Sequence, residues 1–197
     1  MPAKTAQAGL IPQAAAFMQP LFYARFICSY VRVTLALTHI HCETGMQYWL
    51  MKSEPDEVSI DDALAARNST VAWVGVRNYQ ARNFMRDAMR VGDGVLFYHS
   101  SCAEPGVAGL AEVGSTPYPD DTQFDPRSKY YDPKATRENP RWMLVDVRAL
   151  EKTRLMPLAE LRTYEDLADM QILRRGNRLS ITPVTPAEWR CIIRHIK

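Results

Sequence analysis

Residues 92–100 read GDGVLFYHS, a tight turn followed by an apolar run. The glycine–aspartate–glycine triplet is typical of a turn, because glycine adopts backbone conformations that other residues avoid. The run from Val95 to His99 is short and rich in β-branched and aromatic residues, so it predicts a strand. A strand bounded this clearly predicts a β-sheet at the centre of the fold.

Segments on both sides of this strand extend the prediction. Residues 48–52, 71–76, 107–113 and 142–150 favour four more strands, and residues 180–184 favour a short extended segment. One short helix is expected from Ser59 and another from Asn78 to about Met89. The last helix opens at Thr185 with a capping box. The pattern predicts an α+β domain, a small mixed barrel flanked by helices.

Composition limits the kinds of protein that this chain can be. Of its 197 residues, 47% are hydrophobic and 23% are charged, which excludes a disordered or fibrous chain. The formal net charge is only +2, whereas a protein that neutralises many phosphates is far more basic. Any role with nucleic acid must therefore depend on a local pocket.

The first 45 residues differ from the rest of the chain. They hold three basic residues and the single acid Glu43, whereas the basic and acidic residues from Met46 onward balance. This composition fits an organelle transit peptide, but it also fits an extension upstream of a true start at Met46. We expect residues 1–45 to be poorly ordered in either case, and residues 46–197 to form the folded domain.

Three segments carry residues suited to binding. The first is Lys52-Ser53-Glu54-Pro55, where polar residues end an apolar strand and can project into a pocket mouth. The second is residues 73–83, which combine Trp73, Gly75, Arg77 and Asn78 ahead of a predicted helix. For each, a purely structural role as strand exit, core residue or helix cap stays open.

The third segment is the long loop from Ser115 to Pro140, which has no clear periodicity. A loop of this length in a compact domain is usually functional. Its aromatic residues, Tyr130 and Tyr131 among them, suit either a lid that stacks on a planar ligand or an anchor that pins the loop to the domain.

No catalytic or metal-binding constellation stands out. The chain lacks a nucleophile elbow, a phosphate-cradling glycine loop and a metalloprotease motif. The four cysteines match no zinc spacing and are expected to be free thiols. We therefore predict no catalytic residue, no metal and no cofactor.

Seven motifs in the same order resemble the EVE domain family. They lie at residues 48–55, 73–83, 92–100, 106–113, 130–135, 139–142 and 178–184, and read YWLMKSEP, WVGVRNYQARN, GDGVLFYHS, GVAGLAEV, YYDPKA, NPRW and RLSITPV. The resemblance covers residues 46–197 and implies a PUA-like fold, a mixed and partly closed barrel of about five to six strands. It also implies a reader of modified bases, with modified cytosine in DNA as the leading ligand.

The resemblance, joined to the chemistry of the residues, implies a role for each site residue. Trp73 would stack on a flipped base, with Tyr130 or Tyr131 on its other face. Ser53 and Asn78 would bond to the base edge. A carboxylate such as Glu54 accepts from a cytosine amino group. The remaining expected ligand contacts are Gly75, Arg77 and Tyr98, and the expected phosphate contacts are Arg77, Arg82 and Lys134.

Other functions remain open at this stage. Related ASCH domains include amidohydrolases of acylated nucleosides that use Lys, Thr and Glu, and Lys52, Ser53 and Glu54 are adjacent here. Alternation along a strand would place Ser53 opposite the other two, which disfavours such a site. A protein-interaction module is the third alternative. We expect a monomer without membrane contact, in the cytoplasm or in a eukaryotic nucleus, with an unidentified protein partner as a further possibility.

Overall fold

The computed structural model describes residues 45–197. Apart from Gly45, the segment expected to be poorly ordered, 1–45, lies outside the described residues. The strands are β1 Tyr48–Ser53, β2 Thr70–Ala72, β3 Gly94–His99, β4 Gly106–Val113, β5 Tyr118–Pro119, β6 Met143–Leu144, β7 Asp146–Pro157 and β8 Ile181–Val184. The α-helices are α1 Ile60–Ala65, α2 Tyr79–Asn83, α3 Leu158–Leu161 and α4 Pro186–His195. Single turns of other helix types lie at Arg67–Ser69, Phe84–Ala88, Asp121–Phe124, Glu165–Leu167 and Gln171–Leu173.

Six strands form one mixed sheet in the order β2-β7-β4-β3-β1-β8. β1 and β3 run parallel, from Tyr48 opposite Gly94 to Ser53 opposite His99. The other pairs in this sheet are antiparallel, and β5 and β6 form a separate small ladder. The predicted α+β class, with about five to six strands in mixed orientation, is confirmed. The sheet itself is not closed into the expected partial barrel, since β2 and β8 lie at opposite edges.

The central strands are buried on both faces of the sheet. Along β1, Trp49 and Met51 pack into one apolar cluster and Leu50 packs into the other. Along β3, Phe97 belongs to the first cluster and Leu96 to the second. Burial on both faces explains why these strands are continuously apolar instead of alternating with polar residues.

The turn before β3 is fixed by a buried carboxylate. Asp93 is 3% exposed and accepts hydrogen bonds from Gln47 N, the Trp49 indole and Arg90 N. These three donors tie the start of β1 and the end of the preceding helical turn to the turn at residues 92–94. The turn therefore sets the position of β3 beside β1.

Several elements differ in extent from the sequence prediction. The helix expected from Asn78 to about Met89 is α2 followed by a turn of another helix type at Phe84–Ala88, and the strand expected at 142–150 is divided into β6 and β7. β2 ends at Ala72, before the predicted end at Val76, because the chain turns there: Val74 N donates to Ala72 O at 3.0 Å. β7 continues to Pro157, beyond Leu150, because it pairs with the whole of β4. Within residues 45–197, no helix has both the length and the apolar character needed to cross a bilayer.

Candidate functional site

A cavity of about 520 Å³ opens where β1 and β3 end. The two strands are parallel, so their carboxyl ends meet at one edge of the sheet and their last polar residues come together. We call this cavity the strand-end pocket. It is lined by Lys52, Ser53, Glu54, Glu57, Gly75, Val76, Arg77, Asn78, Ser100, Ser101, Tyr130, Arg178 and Ser180.

The end of β1 supplies three adjacent polar residues to the pocket. Ser53 donates a hydrogen bond to Val58 O at 2.6 Å, and one oxygen of Glu54 accepts from Ser101 Oγ at 3.0 Å. Lys52 is half-buried, and this burial lowers its pKa. All three line the pocket. β1 ends at Ser53, so the alternation expected from the sequence applies to Lys52 and Ser53 but does not continue to Glu54.

One wall of the pocket depends on the close contact of Gly75 with Tyr130. A Cβ atom on Gly75 would lie 2.4 Å from Cζ of Tyr130, well inside van der Waals contact. The Tyr130 hydroxyl donates to Glu57 at 3.0 Å, which holds the far end of the ring. The ring is thus placed in the pocket wall by a glycine on one side and a carboxylate at its tip.

Arg77 braces the same wall. Its guanidinium donates to Asp120 at 2.8 Å, to Tyr130 O at 2.6 Å and to Thr122 Oγ1 at 2.9 Å. Burial alone would raise the pKa of Asp120, but hydrogen bonds from Thr122, Arg77 and the Gly75 amide outweigh it and hold that pKa below its usual value. The expected phosphate-binding Arg77 therefore lines the pocket with its guanidinium already engaged.

Asn78 has one side-chain donor, Nδ2, that is free for a ligand. Its Oδ1 caps α2 by accepting from Gln80 N at 2.9 Å and Ala81 N at 3.1 Å. Its Nδ2 makes no hydrogen bond to any residue within 45–197, so a ligand in the pocket can accept from it. Cap and ligand donor are compatible in one side chain because they use opposite ends of the amide.

Three of the expected aromatic and phenolic contacts do not line the pocket. Trp73 is 6% exposed and packs edge-on against Phe97 in the core, 5.3 Å between ring centroids. Tyr98 is 2% exposed in the second apolar cluster, where burial raises its pKa to about 12. Tyr131 is exposed next to Tyr130 but lies outside the lining.

Two of the expected phosphate contacts also lie elsewhere. Arg82 donates to Arg141 O at 2.8 Å and to Asn83 Oδ1 at 2.7 Å, which fixes it against the end of the long loop. Lys134 is exposed on that loop and is not part of the lining. The structure thus brings together Ser53, Glu54, Gly75, Arg77, Asn78 and Tyr130 from the expected set.

Several lining residues had no role in the sequence interpretation. Ser100 and Ser101 follow β3, and Arg178 and Ser180 precede β8. The parallel pairing of β1 with β3 is the feature that brings Ser100 and Ser101 to the pocket. Arg178 and Ser180 lie in the motif at residues 178–184, which was the available signal for them.

The pocket offers a ligand both hydrogen-bond donors and hydrogen-bond acceptors. Glu54 and Glu57 supply acceptors, Asn78 and Lys52 supply donors, and Tyr130 supplies an aromatic ring. Its volume lies within the range of about 300–1,000 Å³ that is typical of small-molecule sites. No group of three or more His, Cys, Asp or Glu side chains suited to a metal ion occurs within residues 45–197.

Comparisons with known proteins agree with this architecture. The family model for the EVE domain matches residues 47–195. Human thymocyte nuclear protein 1 is 43% identical over 164 residues, which is 74% of this chain and 72% of the relative. The zebrafish (Danio rerio) protein of the same name is 42% identical over 170 residues, 77% of this chain and 73% of the relative.

Solved structures show the same fold. A Pseudomonas putida protein has a TM-score of 0.71 with 47% identity, covering 75% of this chain and 97% of that chain. The human THYN1 protein, solved in complex with DNA containing 5-methylcytosine, has a TM-score of 0.69 with 42% identity, covering 75% and 96% of the two chains. From its sequence, its sheet and these relatives, the chain belongs to the EVE domain family.

Proposed function

We propose that this protein is a non-catalytic reader that binds a modified cytosine of DNA in the strand-end pocket. The observation that carries the proposal is that one pocket holds a carboxylate acceptor, Glu54, and an unused amide donor, Asn78 Nδ2. Cytosine presents a donor amino group beside acceptor atoms on its pairing edge. The human relative bound to DNA with 5-methylcytosine supports the same ligand class.

In this proposal Tyr130 takes the stacking role that was expected of Trp73. A base that enters the pocket must leave the duplex, which costs a few kcal/mol. Stacking on an aromatic side chain contributes about 1–3 kcal/mol for each base and offsets much of that cost. This role is supported by the position of the half-buried Tyr130 ring in the pocket wall, where Gly75 and Glu57 hold it.

The proposal is tested by titrating the full chain with matched oligonucleotides. They carry cytosine, 5-methylcytosine, 5-hydroxymethylcytosine or N6-methyladenine, each in DNA and in RNA at one salt concentration. We expect selective binding to one modified cytosine in DNA. In Glu54→Ala we expect affinity to fall about tenfold, because the carboxylate acceptor is lost. Equal binding to all oligonucleotides, or no binding, would contradict the proposal.

A second candidate is hydrolysis of an acylated nucleoside. It is favoured by one observation: Lys52, whose pKa is lowered by burial, lines the same pocket as Ser53 and Glu54. A lysine with a lowered pKa can serve as a base or a nucleophile. Incubation of the purified chain with N4-acetylcytidine tests this candidate. Hydrolysis by the wild type that is lost in Lys52→Met would show that the protein is an enzyme and not a reader.

The low net charge of the chain limits how strongly it can bind DNA by itself. The chain carries a net charge of +2, so phosphate contacts must be few and binding to DNA moderate. We propose that it acts as a monomer with a protein partner that adds affinity, in the cytoplasm or, if its source is eukaryotic, in the nucleus. Light scattering of the chain with and without DNA tests the monomer directly.

A further inference from the structure

Three arginines crowd one loop beside the strand-end pocket. Arg174, Arg175 and Arg178 lie within five residues, a segment that we call the arginine loop, residues 174–178. All three are exposed. The sequence holds no acidic residue between Asp169 and Glu188, so the loop is the centre of a basic stretch in a chain that is otherwise balanced.

These guanidinium groups are available to a ligand. Within residues 45–197 none of the three forms an ion pair, whereas Arg77 is paired with Asp120 at 2.8 Å. Asp169 and Glu188 line a neighbouring cleft together with Arg174. The Glu188 carboxylate accepts from Thr185 N at 2.7 Å, so it is engaged in capping α4.

The arginine loop is held in one conformation. Asn177 Nδ2 donates to Gln171 O at 2.6 Å, and Asn177 Oδ1 accepts from Leu179 N at 2.9 Å. Gly176 has φ of +80°, a left-handed conformation that lets the chain reverse between the arginines. A loop fixed by its own hydrogen bonds loses little entropy when its arginines bind an anion.

The loop connects two cavities. Arg178 lines the strand-end pocket, while Arg174, Arg175 and Asn177 line a cleft of about 380 Å³. A second segment also runs from one cavity to the other, since Asn78 lines the pocket and Gln80, two residues later, lines the cleft. When a base of a DNA strand occupies the pocket, a basic cleft therefore lies beside it for the adjoining sugar-phosphate backbone.

We propose that the arginine loop is the phosphate-binding element of this protein, in place of Arg77, Arg82 and Lys134. Arg178 contacts the phosphate next to the bound base, and Arg174 and Arg175 contact phosphates further along the same DNA strand. The planar guanidinium suits this task because it donates two parallel hydrogen bonds to one phosphate. The inference rests on the proposed function, since the base bound in the pocket fixes the position of the DNA strand relative to the arginine loop.

The test compares two double variants of the full chain that each remove two positive charges. Arg174→Gln/Arg175→Gln alters the loop, and Arg190→Gln/Arg194→Gln alters exposed arginines of α4. Affinity for duplex DNA with one 5-methylcytosine is measured from 50 to 200 mM salt. Each lost phosphate contact reduces the slope of log K against log salt by about 0.9.

We expect the loop variant to bind more weakly at 50 mM and to lose about tenfold less affinity than wild type across that range. Its preference for 5-methylcytosine over cytosine should be unchanged, and the α4 variant should match wild type. Equal slopes in all three proteins, or no binding by wild type, would overturn the inference. Wild type that does not discriminate between bases, with a lower slope in the loop variant, would contradict only the proposed function.

Discussion

At the scale of single residues, Gly75 is the most constrained position of the pocket. It combines φ of +82° with a Tyr130 ring that leaves no room for a Cβ atom. Gly92 has φ of +93°, but a Cβ atom there would meet nothing within 4 Å, so this position isolates the backbone effect. Comparing substitutions at Gly75 and Gly92 therefore separates the effect of backbone strain from the effect of displacing the Tyr130 ring.

We expect Gly92→Ala to lose about 1–2 kcal/mol of unfolding free energy, because it forces alanine into a left-handed conformation, and Gly75→Ala to lose at least as much, because it also displaces the Tyr130 ring. Only Gly75→Ala should also lower DNA affinity, by about tenfold, since it displaces the ring that stacks on the base. Chemical denaturation and a DNA titration measure the two effects. Full affinity in Gly75→Ala would remove Tyr130 from the stacking role.

Asn78→Asp tests the donor proposed to contact the base. Aspartate caps a helix as well as asparagine does, so α2 should keep its stability. The Nδ2 donor is replaced by an oxygen, so we expect the affinity for 5-methylcytosine DNA to fall about tenfold or more. Thermal unfolding serves as the control, and an unchanged affinity at unchanged stability would show that Nδ2 does not contact the base.

At the scale of elements, the long loop is anchored to the domain. Gln123 is fully buried and its amide bonds to four backbone groups, at Asp120 O, Trp142 O, Arg141 N and Trp142 N. The Trp142 indole donates to Asp132 at 2.8 Å. Of the two roles that the sequence left open for this loop, the structure favours the anchor for its ends, with Tyr130 in the pocket wall.

We expect Gln123→Ala to cost about 2–4 kcal/mol of unfolding free energy, because it leaves buried backbone donors and acceptors without hydrogen-bond partners. Gln171→Ala is the matched control, since its side chain makes no hydrogen bond within residues 45–197 and it is only partly buried. Urea unfolding measures both variants. Equal stability losses would show that the loop is held by other contacts.

His99, at the end of β3, links stability to pH. Its Nε2 accepts from Ile60 N at 3.1 Å, and burial lowers its pKa below 6.5, with Lys152 adding to this and Asp61 opposing it. The unfolded chain therefore binds more protons between the folded pKa and 6.5. We expect the unfolding free energy to fall as pH is lowered through that window, and His99→Gln to lack this part of the dependence. Parallel curves for the two proteins would contradict the assignment.

The sequence predicted elements better than their pairing. The strands around Val95 and Val107 were found because their apolar runs are bounded by turn residues. The parallel pairing of β1 with β3 was not predicted, because it depends on contacts between distant segments, and Ser100 and Ser101 were missed with it. Trp73 was assigned to the pocket because it resembles a cage tryptophan of related domains, whereas the residues alone favoured a place in the core, where the structure has it.

At the scale of the whole molecule, the two proposals assign recognition and affinity to different parts of one edge of the sheet. In these proposals the strand-end pocket supplies the groups that read a base, and the adjoining arginine loop supplies positive charge to a chain with a net charge of +2. Selectivity should therefore vary little with salt, while affinity varies strongly.

The measurement that tests the central claim most directly is an NMR titration of the isotope-labelled chain with the nucleoside 5-methyl-2′-deoxycytidine. The nucleoside carries no phosphate, so it reports on the pocket alone. We predict amide shifts confined to the residues that line the strand-end pocket, with Gly75 and Ser101 among them, and smaller shifts with unmodified deoxycytidine. Shifts that bypass this pocket, or that are equal for both nucleosides, would contradict the account.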